Sequence, residues 1–285
     1  MTLKEAVMWG KNKLTEADIK NADYDSFELL SFINGMTKTS YFVNGNSDIS
    51  EETFSKYREL IEKRASHVPL QHIVGSTCFY GYDFEVNSDV LIPRHDTEVL
   101  VEAVSKLKFN KEDGACINIL DMCTGSGCIA ITLSKLINNS QVLGVDISDK
   151  ALLVANRNKT KLDAANVSFL QSNLFDGLDG FEIFDCIVSN PPYIPTADIN
   201  ELEDEVRLHD PMLALDGHED GLDFYRTITN ESKHFLKKNG WLCYEIGATQ
   251  AQDVLELMDK AGFSDIKVIK DLAGLDRVVI GRKVG

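Results

Sequence analysis

The six cysteines of this chain, at 78, 116, 123, 128, 186 and 243, never form a Cys-x-x-Cys pair. That spacing provides neither the paired ligands of a zinc site nor a disulfide framework, so reduced, mostly buried thiols are expected and no metal is. Long apolar runs are also missing, and none approaches the ~20 residues that span a bilayer. The opening MTLKEAVMWGKNKL sets charges among its apolar positions, unlike the unbroken core of a signal peptide. Cytoplasm is the expected compartment.

Positive charge is scarce. Against 45 Asp and Glu stand 29 Lys and Arg, a net charge of −16. Residues 1–75 hold 9 basic and 11 acidic side chains and the remainder 20 and 34, so the deficit lies in the C-terminal part. Nucleic-acid binders neutralise phosphates with Lys and Arg. Bare DNA or RNA is therefore disfavoured as a partner, and a basic protein surface is favoured. What remains is ordinary: 285 residues, 44% hydrophobic and 26% charged, enough for one large domain or a medium and a small one.

Three N-terminal stretches, LKEAVMWGKNKL, SFELLSFIN and EETFSKYRELIEKRA, carry apolar residues at three- and four-residue spacing, which predicts helices. Ser50, with Glu51 and Glu52 behind it, is a helix-start signal for the third. This predicts a small helical domain over 1–69. Residues 70–87 alternate aromatic and β-branched with polar residues around glycines, which predicts a β-hairpin connector over 70–90.

From about residue 91 strands and helices alternate: CINILDM, GCIAITLSKLI, QVLGVDI, ALLVANRNKTKL, NVSFLQS, FDCIVSN and onward to the end. Short apolar strands joined by helices predict a parallel sheet covered on both faces. No helix separates SDIKVIKDL from DRVVIGR, so the last strand must turn back and run antiparallel. The expected fold is α/β: a Rossmann-like, mostly parallel seven-stranded sheet with one antiparallel strand over 91–285, the plan of class I methyltransferases.

ILDMCTGSGCI runs from the first of these strands into the first helix. Gly125 and Gly127 let the backbone turn tightly and approach a ligand, and the helix start directs unpaired N–H groups to the same place. Asp146 ends the next strand, 19 residues after Gly127, where an acid in doubly wound folds accepts hydrogen bonds from ribose hydroxyls. The competing role for Asp146 is a helix N-cap, which Ser148 or Asp149 could supply instead. Together the two features indicate a nucleoside cofactor, either NAD or S-adenosylmethionine. Gly125, Gly127 and Ala130 imitate dinucleotide spacing, so the loop alone leaves both open.

The stretch FDCIVSNPPYIP bears on that choice. It ends the fourth strand, where open α/β sheets bind ligands. Prolines fix φ and donate no backbone hydrogen bond, leaving nearby carbonyls free to accept one. Asn190 adds a side-chain acceptor and Tyr193 a flat ring. Two acceptors beside a stacking face suit a planar group bearing NH2, whether a base amine or a side-chain amide.

Asn-Pro-Pro-Tyr after a strand resembles motif IV of methyltransferases that modify planar amino groups. PLQHIVGSTCFYGYDFEV, VLIPRHDTEVLVE, LDMCTGSGCIAITL, VDISDKALLVAN, QSNLFDGL, DPMLALDGHEDGLDFYRTI, GWLCYEIGATQ and DLAGLDRVV resemble successive blocks of the release-factor glutamine N5-methyltransferases, covering about 69–281. The resemblance implies methylation of the glutamine in the Gly-Gly-Gln motif of class 1 peptide chain release factors, with S-adenosylmethionine as donor. By the same resemblance Thr124, Gly125, Ser126 and Gly127 wrap the methionine part of the cofactor, Cys123 beside them also binds it, Asp146 holds the ribose, and Phe175 lies by the adenine. Asn190, Pro191 and Tyr193 become the catalytic group; these three with Pro192 bind the substrate, and Asn190 also borders the cofactor. Arg94, Thr97 and Glu98 lie near the cofactor mouth, although a helix cap with a salt bridge explains them equally. His95 stands where the family usually has proline, Cys123 where glycine is common, and Asn173 where an acid often meets the adenine amine.

The resemblance also implies a release-factor recognition role for residues 1–69 and a protein substrate as partner, without stable nucleic acid or membrane; a monomer is expected. Among rivals, an adenine or cytosine amino-group methyltransferase of nucleic acid would use the same SNPPY, and the net charge opposes it. A glutamine on another protein stays open. A non-enzymatic adaptor predicts a damaged acceptor stretch, whereas Asn190 to Tyr193 is intact. A nicotinamide-dependent oxidoreductase lacks an evident proton donor paired with a substrate clamp.

Overall fold

The computed structural model describes residues 1–109 and 114–284. The chain divides into two units, one of residues 1–76 with 203–209, the other of residues 77–202 with 210–285.

The first unit contains α1 (Leu3–Glu16), α2 (Ala22–Asn34), α3 (Lys38–Asn44), α4 (Glu51–Ala65) and α5 (Leu70–Val74). Thr2 and Glu5 close a reciprocal capping box on α1, and the Ser50 side chain accepts the Thr53 N–H to start α4. Leu14, Leu29, Leu30, Tyr57 and Ile61 are buried together between the helices. Gly10 is small because it must be: a Cβ there would lie 2.0 Å from the Tyr57 hydroxyl. The α3 turn was not predicted. It is seven residues long, fully buries none of them and touches the helical core through Tyr41 beside Phe27, too little apolar periodicity to reveal it.

A two-stranded hairpin follows, β1 (Ser76–Phe79) and β2 (Tyr82–Glu85), and all of it but Ser76 belongs to the second unit. Tyr80 and Gly81 both have positive φ, the two-residue turn that matches strand twist. The predicted hairpin began at residue 70; instead Leu70–Val74 is helical and ends on Gly75 in the left-handed conformation, so the hairpin is shorter.

Beyond α6 (Thr97–Ser105) come β3 (Ile117–Met122), α7 (Cys128–Leu136), β4 (Ser140–Asp146), α8 (Asp149–Lys161), β5 (Val167–Gln171) and β6 (Phe184–Ser189). A 3-10 turn (Thr196–Glu201) precedes α9 (Asp204–His209), which counts with the first unit; α10 (Met212–Leu215) follows. The chain ends with α11 (Asp223–Phe235), β7 (Leu236–Glu245), α12 (Ala251–Lys260), β8 (Phe263–Lys270) and β9 (Asp276–Lys283).

The sheet order is β5-β4-β3-β6-β7-β9-β8. The pairs from β5 across to β7 are parallel, and β9 runs antiparallel to both its neighbours, β7 and β8. Successive side chains point to opposite faces, so Ile119, Val142 and Val188 join α6 and α7 on one side. Leu120, Val145 and Ile187 join α11 and α12 on the other. Chain order reverses between β3 and β6, which opens a crevice at the carboxyl ends of β3, β4 and β6.

Of the six cysteines, Cys128, Cys186 and Cys243 are buried, Cys123 is half-buried, and Cys78 and Cys116 are exposed, fewer buried than expected. Among the described residues, no helix is long and apolar enough to cross a membrane.

Candidate active site

The crevice holds a cleft of about 390 Å³, within the range of small-molecule sites. Its floor is the turn after β3. Gly125 and Gly127 adopt left-handed φ of 54° and 79°, and a Cβ on Gly125 would meet nothing within 4 Å, so the main chain there is open to a ligand. Gly127 serves another end: a Cβ would lie 2.9 Å from the Phe169 ring, so its absence lets α7 pack on the sheet. Cys123 shares the left-handed conformation, φ 62°, although it carries a side chain.

Asp146 ends β4 on the cleft wall. Its Oδ2 accepts the Gly125 N–H at 2.8 Å and its Oδ1 the Ser148 N–H at 2.9 Å. It is not the cap of α8, a role filled by Ser148, whose hydroxyl accepts the Ala151 N–H. A carboxylate has about four lone-pair sites, so acceptor capacity remains for a guest. Burial raises the Asp146 carboxyl above its ordinary value, against the pull of the N–H groups of Ser148 and Gly125.

Behind the loop, Asp121 is fully buried and accepts the Thr124 hydroxyl and the Ala130 N–H. Burial pushes its carboxyl up to about 7. Asn158, also buried, reads two segments at once. Its Nδ2 donates to the Ser126 and Glu85 carbonyls, both at 3.0 Å, and its Oδ1 accepts the Glu85 N–H. Sequence reasoning singled out neither residue.

Asn190 and Pro192 line the same cleft as Asp146, Gly125 and Cys123. Pro191 is buried beside them and Tyr193 is half-buried. Burial, with the Glu245 carboxylate nearby, pushes the Tyr193 phenol up to about 12. The Asn190 Nδ2 donates to the Thr97 hydroxyl at 3.4 Å. Glu245, at the end of β7, is buried with its Oε2 unpartnered. Burial carries its carboxyl to about 7, while Thr97, Arg277 and Asn190 pull the other way.

Thr124 and Ser126 are buried within the loop and do not line the cleft. Phe175, expected by the adenine, is 4% exposed and stacks on Phe235 at 4.9 Å, and the cleft is lined at this point by its neighbours Asn173 and Leu174. Leu174 has a φ of 48°, and this turn of the chain sends the Phe175 ring into the core. Asn173 lines the cleft with its Nδ2 bonded to Asp176 at 3.0 Å. Arg94 pairs with buried Asp210 at 2.7 Å, and Glu98 accepts the Tyr80 N–H at 2.8 Å. Those two are scaffold, and Thr97 alone of the three touches Asn190.

The walls fit a nucleoside-bearing sulfonium. They offer an open main-chain loop, an acid with spare lone pairs, and apolar sides at Val90, Met122, Leu174 and Phe224.

Comparison with known proteins agrees with this description. Residues 5–75 match the family model described as PrmC N-terminal domain, and residues 114–264 match one described as a methyltransferase domain. The chain is 42% identical over 281 residues to the release factor glutamine methyltransferase of Geobacter sulfurreducens, covering 99% of this chain and 96% of that one. It is 37% identical to the release factor glutamine methyltransferase of Clostridium acetobutylicum, with both chains covered completely. A methyltransferase from Pyrococcus furiosus superposes with a TM-score of 0.53 at 19% identity, over 73% of this chain and 92% of that one, a likeness of fold.

Proposed function

The chain belongs to the release factor glutamine methyltransferases, which use S-adenosylmethionine, and from that premise we propose that it methylates the side-chain amide nitrogen of the glutamine in the Gly-Gly-Gln motif of class 1 peptide chain release factors. The observation that carries the reading is Asn190 on the wall of the cleft that Gly125 and Asp146 also line.

When bound, the cofactor supplies an electrophilic methyl carbon. Cys123, Gly125 and Asp146 would hold it, the main chain taking the methionine part and Asp146 the ribose. The remaining work is to present an amide nitrogen. Such nitrogen is a poor nucleophile because its lone pair is delocalised into the carbonyl. The Asn190 Oδ1 and the Pro191 carbonyl accept its two N–H bonds and turn the lone pair toward the methyl carbon. They also stabilise the positive charge that grows on nitrogen, an electrostatic arrangement fixed before the reaction. Tyr193 packs against the amide plane. Alignment itself contributes, up to ~7–11 kcal/mol in favourable cases. No base is required before transfer, since the N-methylated amide cation releases its proton readily to water.

The test is methyl transfer from radiolabelled S-adenosylmethionine to purified release factor, to its Gly-Gly-Glu variant and to duplex DNA, with Asn190→Ala alongside. Label on the wild-type factor alone, lost in Asn190→Ala, is expected. Label on DNA would mean a base amine is the guest and would overturn the substrate reading.

A further inference from the structure

The acceptor turn is gripped by one side chain that the reading above does not use. Gln250 is the N-cap residue of α12 and is buried, yet its side chain makes no capping hydrogen bond to that helix. It turns instead toward the acceptor turn. Its Nε2 donates to the Tyr193 carbonyl at 2.9 Å and to the Gly221 carbonyl at 3.2 Å, and its Oε1 accepts the Gly247 N–H at 3.0 Å. Both amide hydrogens and one acceptor site are thus spent on main chain from three separate segments.

Those segments approach too closely to carry side chains. A Cβ on Gly221 would lie 2.3 Å from the Tyr193 carbonyl oxygen and 2.8 Å from Gln250 Nε2, and the residue's φ is +74°. A Cβ on Gly217 would lie 2.8 Å from the Tyr193 Cα, and one on Gly247 would lie 2.9 Å from Gln250 Oε1. Downstream the chain is stitched to the same wall. Ile194 N–H bonds to the Leu215 carbonyl at 3.1 Å, Gly217 N–H to the Ile194 carbonyl at 2.8 Å, and Thr196 N–H to the His218 carbonyl at 2.9 Å.

We propose that Gln250 is a positioning residue for the methyl-acceptor turn: by holding the Tyr193 carbonyl it fixes where the Asn190 and Pro191 acceptors stand relative to the cofactor loop. The inference rests on the functional reading above and deepens it. The chemistry of the contact set selects glutamine. Asparagine is one methylene short, and a carboxylate would direct acceptors at two carbonyl oxygens. Methionine keeps the length and loses every hydrogen bond. The prolines of the turn stiffen residues 191 and 192 but donate nothing, so the turn depends on an outside donor for its anchorage.

The test uses Gln250→Met and Gln250→Glu in the full chain, with three readouts: single-turnover methyl transfer to release factor, S-adenosylmethionine Kd, and amide hydrogen exchange. In Gln250→Met, transfer falls by at least about tenfold, in line with the loss of buried hydrogen bonds. The Kd changes by less than about threefold, since Gln250 is not among the residues that line the cleft and shares no hydrogen-bond partner with Asp146. Exchange quickens at Ile194 and Thr196 while β3 and β6 amides stay protected. Gln250→Glu is impaired at pH 8 and recovers toward pH 6 as the buried carboxyl protonates and regains a donor. Unchanged exchange at Ile194 and Thr196 overturns the proposal, as does a loss of protection shared equally by β3 and β6. If Gln250→Met does not fold, the pH recovery of Gln250→Glu decides, and a flat profile overturns the role. A wild-type enzyme that leaves release factor unlabelled overturns the functional reading instead; the exchange measurement needs no acceptor and judges Gln250 by itself.

Discussion

Asp146 accepts the backbone N–H of Gly125 at 2.8 Å, so the acid at the end of β4 shapes the glycine loop at the end of β3 while facing the cleft itself. One side chain therefore does two jobs, and the two can be separated. Asp146→Ala removes the loop contact and the proposed ribose acceptor together. Hydrogen bonds to charged groups contribute about 1.5–3 kcal/mol, so S-adenosylmethionine Kd is expected to rise roughly ten- to a hundredfold. Asp146→Asn retains a carbonyl for Gly125 and should fall between. Calorimetric titration with the cofactor and its demethylated product checks the order; an Asp146→Ala protein that binds both normally would remove Asp146 from the site.

Glu245 gives a pH signature. Its buried carboxyl titrates at about 7, against an ordinary value of 4.5. Between those limits the folded protein holds a proton that the unfolded chain releases, so this group's contribution to stability is fully present below about 4.5 and is lost as pH rises through about 7. Glu245→Gln is neutral throughout. The melting temperature of Glu245→Gln minus that of wild type should therefore increase from pH 5 to pH 8 and level off above. Asp96, Arg277 and Tyr193 surround Glu245 in both proteins, so the difference isolates the one carboxyl. A flat difference would mean that Glu245 is hydrated in solution.

In the first unit, Arg64 Nε bonds Asp25 Oδ2 at 2.6 Å with both side chains buried, Nη1 reaches the Val68 carbonyl at 3.1 Å, and Nη2 pairs with Glu205. Removing one member of a buried pair leaves the other uncompensated, a loss of about 3–5 kcal/mol. Arg64→Met should show that loss in urea unfolding of the full chain, in whichever transition reports the helical unit. Adding Asp25→Leu removes the stranded carboxylate and should restore most of it. A double variant no better than Arg64→Met would assign the loss to packing.

The residues legible in the sequence are those whose local pattern carries their role. The reversed β9 followed from a missing crossover helix, and Gly125, Asp146 and Asn190 stand out because each ends or closely follows an apolar strand. Glu245 ends an apolar strand too, yet its burial depends on β9 pairing beside it, with Glu245 opposite Val278, and on Thr97 arriving from α6. Asn158 and Gln250 read as polar positions on amphipathic helices, and only tertiary packing reveals that each is buried against main chain. The burial of Phe175 is hidden for a related reason: its neighbour Leu174 takes a left-handed φ of 48°, and nothing in leucine announces that conformation.

Cys123 supplies a last comparison of two local effects. A left-handed φ costs a residue with a Cβ roughly 1–2 kcal/mol, and replacement by glycine forfeits about 0.5–1 kcal/mol of chain entropy. The terms nearly offset, so Cys123→Gly should match wild type in stability to within about 1 kcal/mol and keep its methyl-transfer rate. Cys123→Val, β-branched and more strained at φ 62°, should be clearly less stable. Burial also holds the Cys123 thiol well above its usual range, with Asp146 and Asp121 adding to the effect. Iodoacetamide at pH 8 should therefore modify exposed Cys78 and Cys116 first, leaving Cys123 unmodified and methyl transfer intact. Rapid inactivation that cofactor prevents would show instead that this thiol ionises within the open cleft.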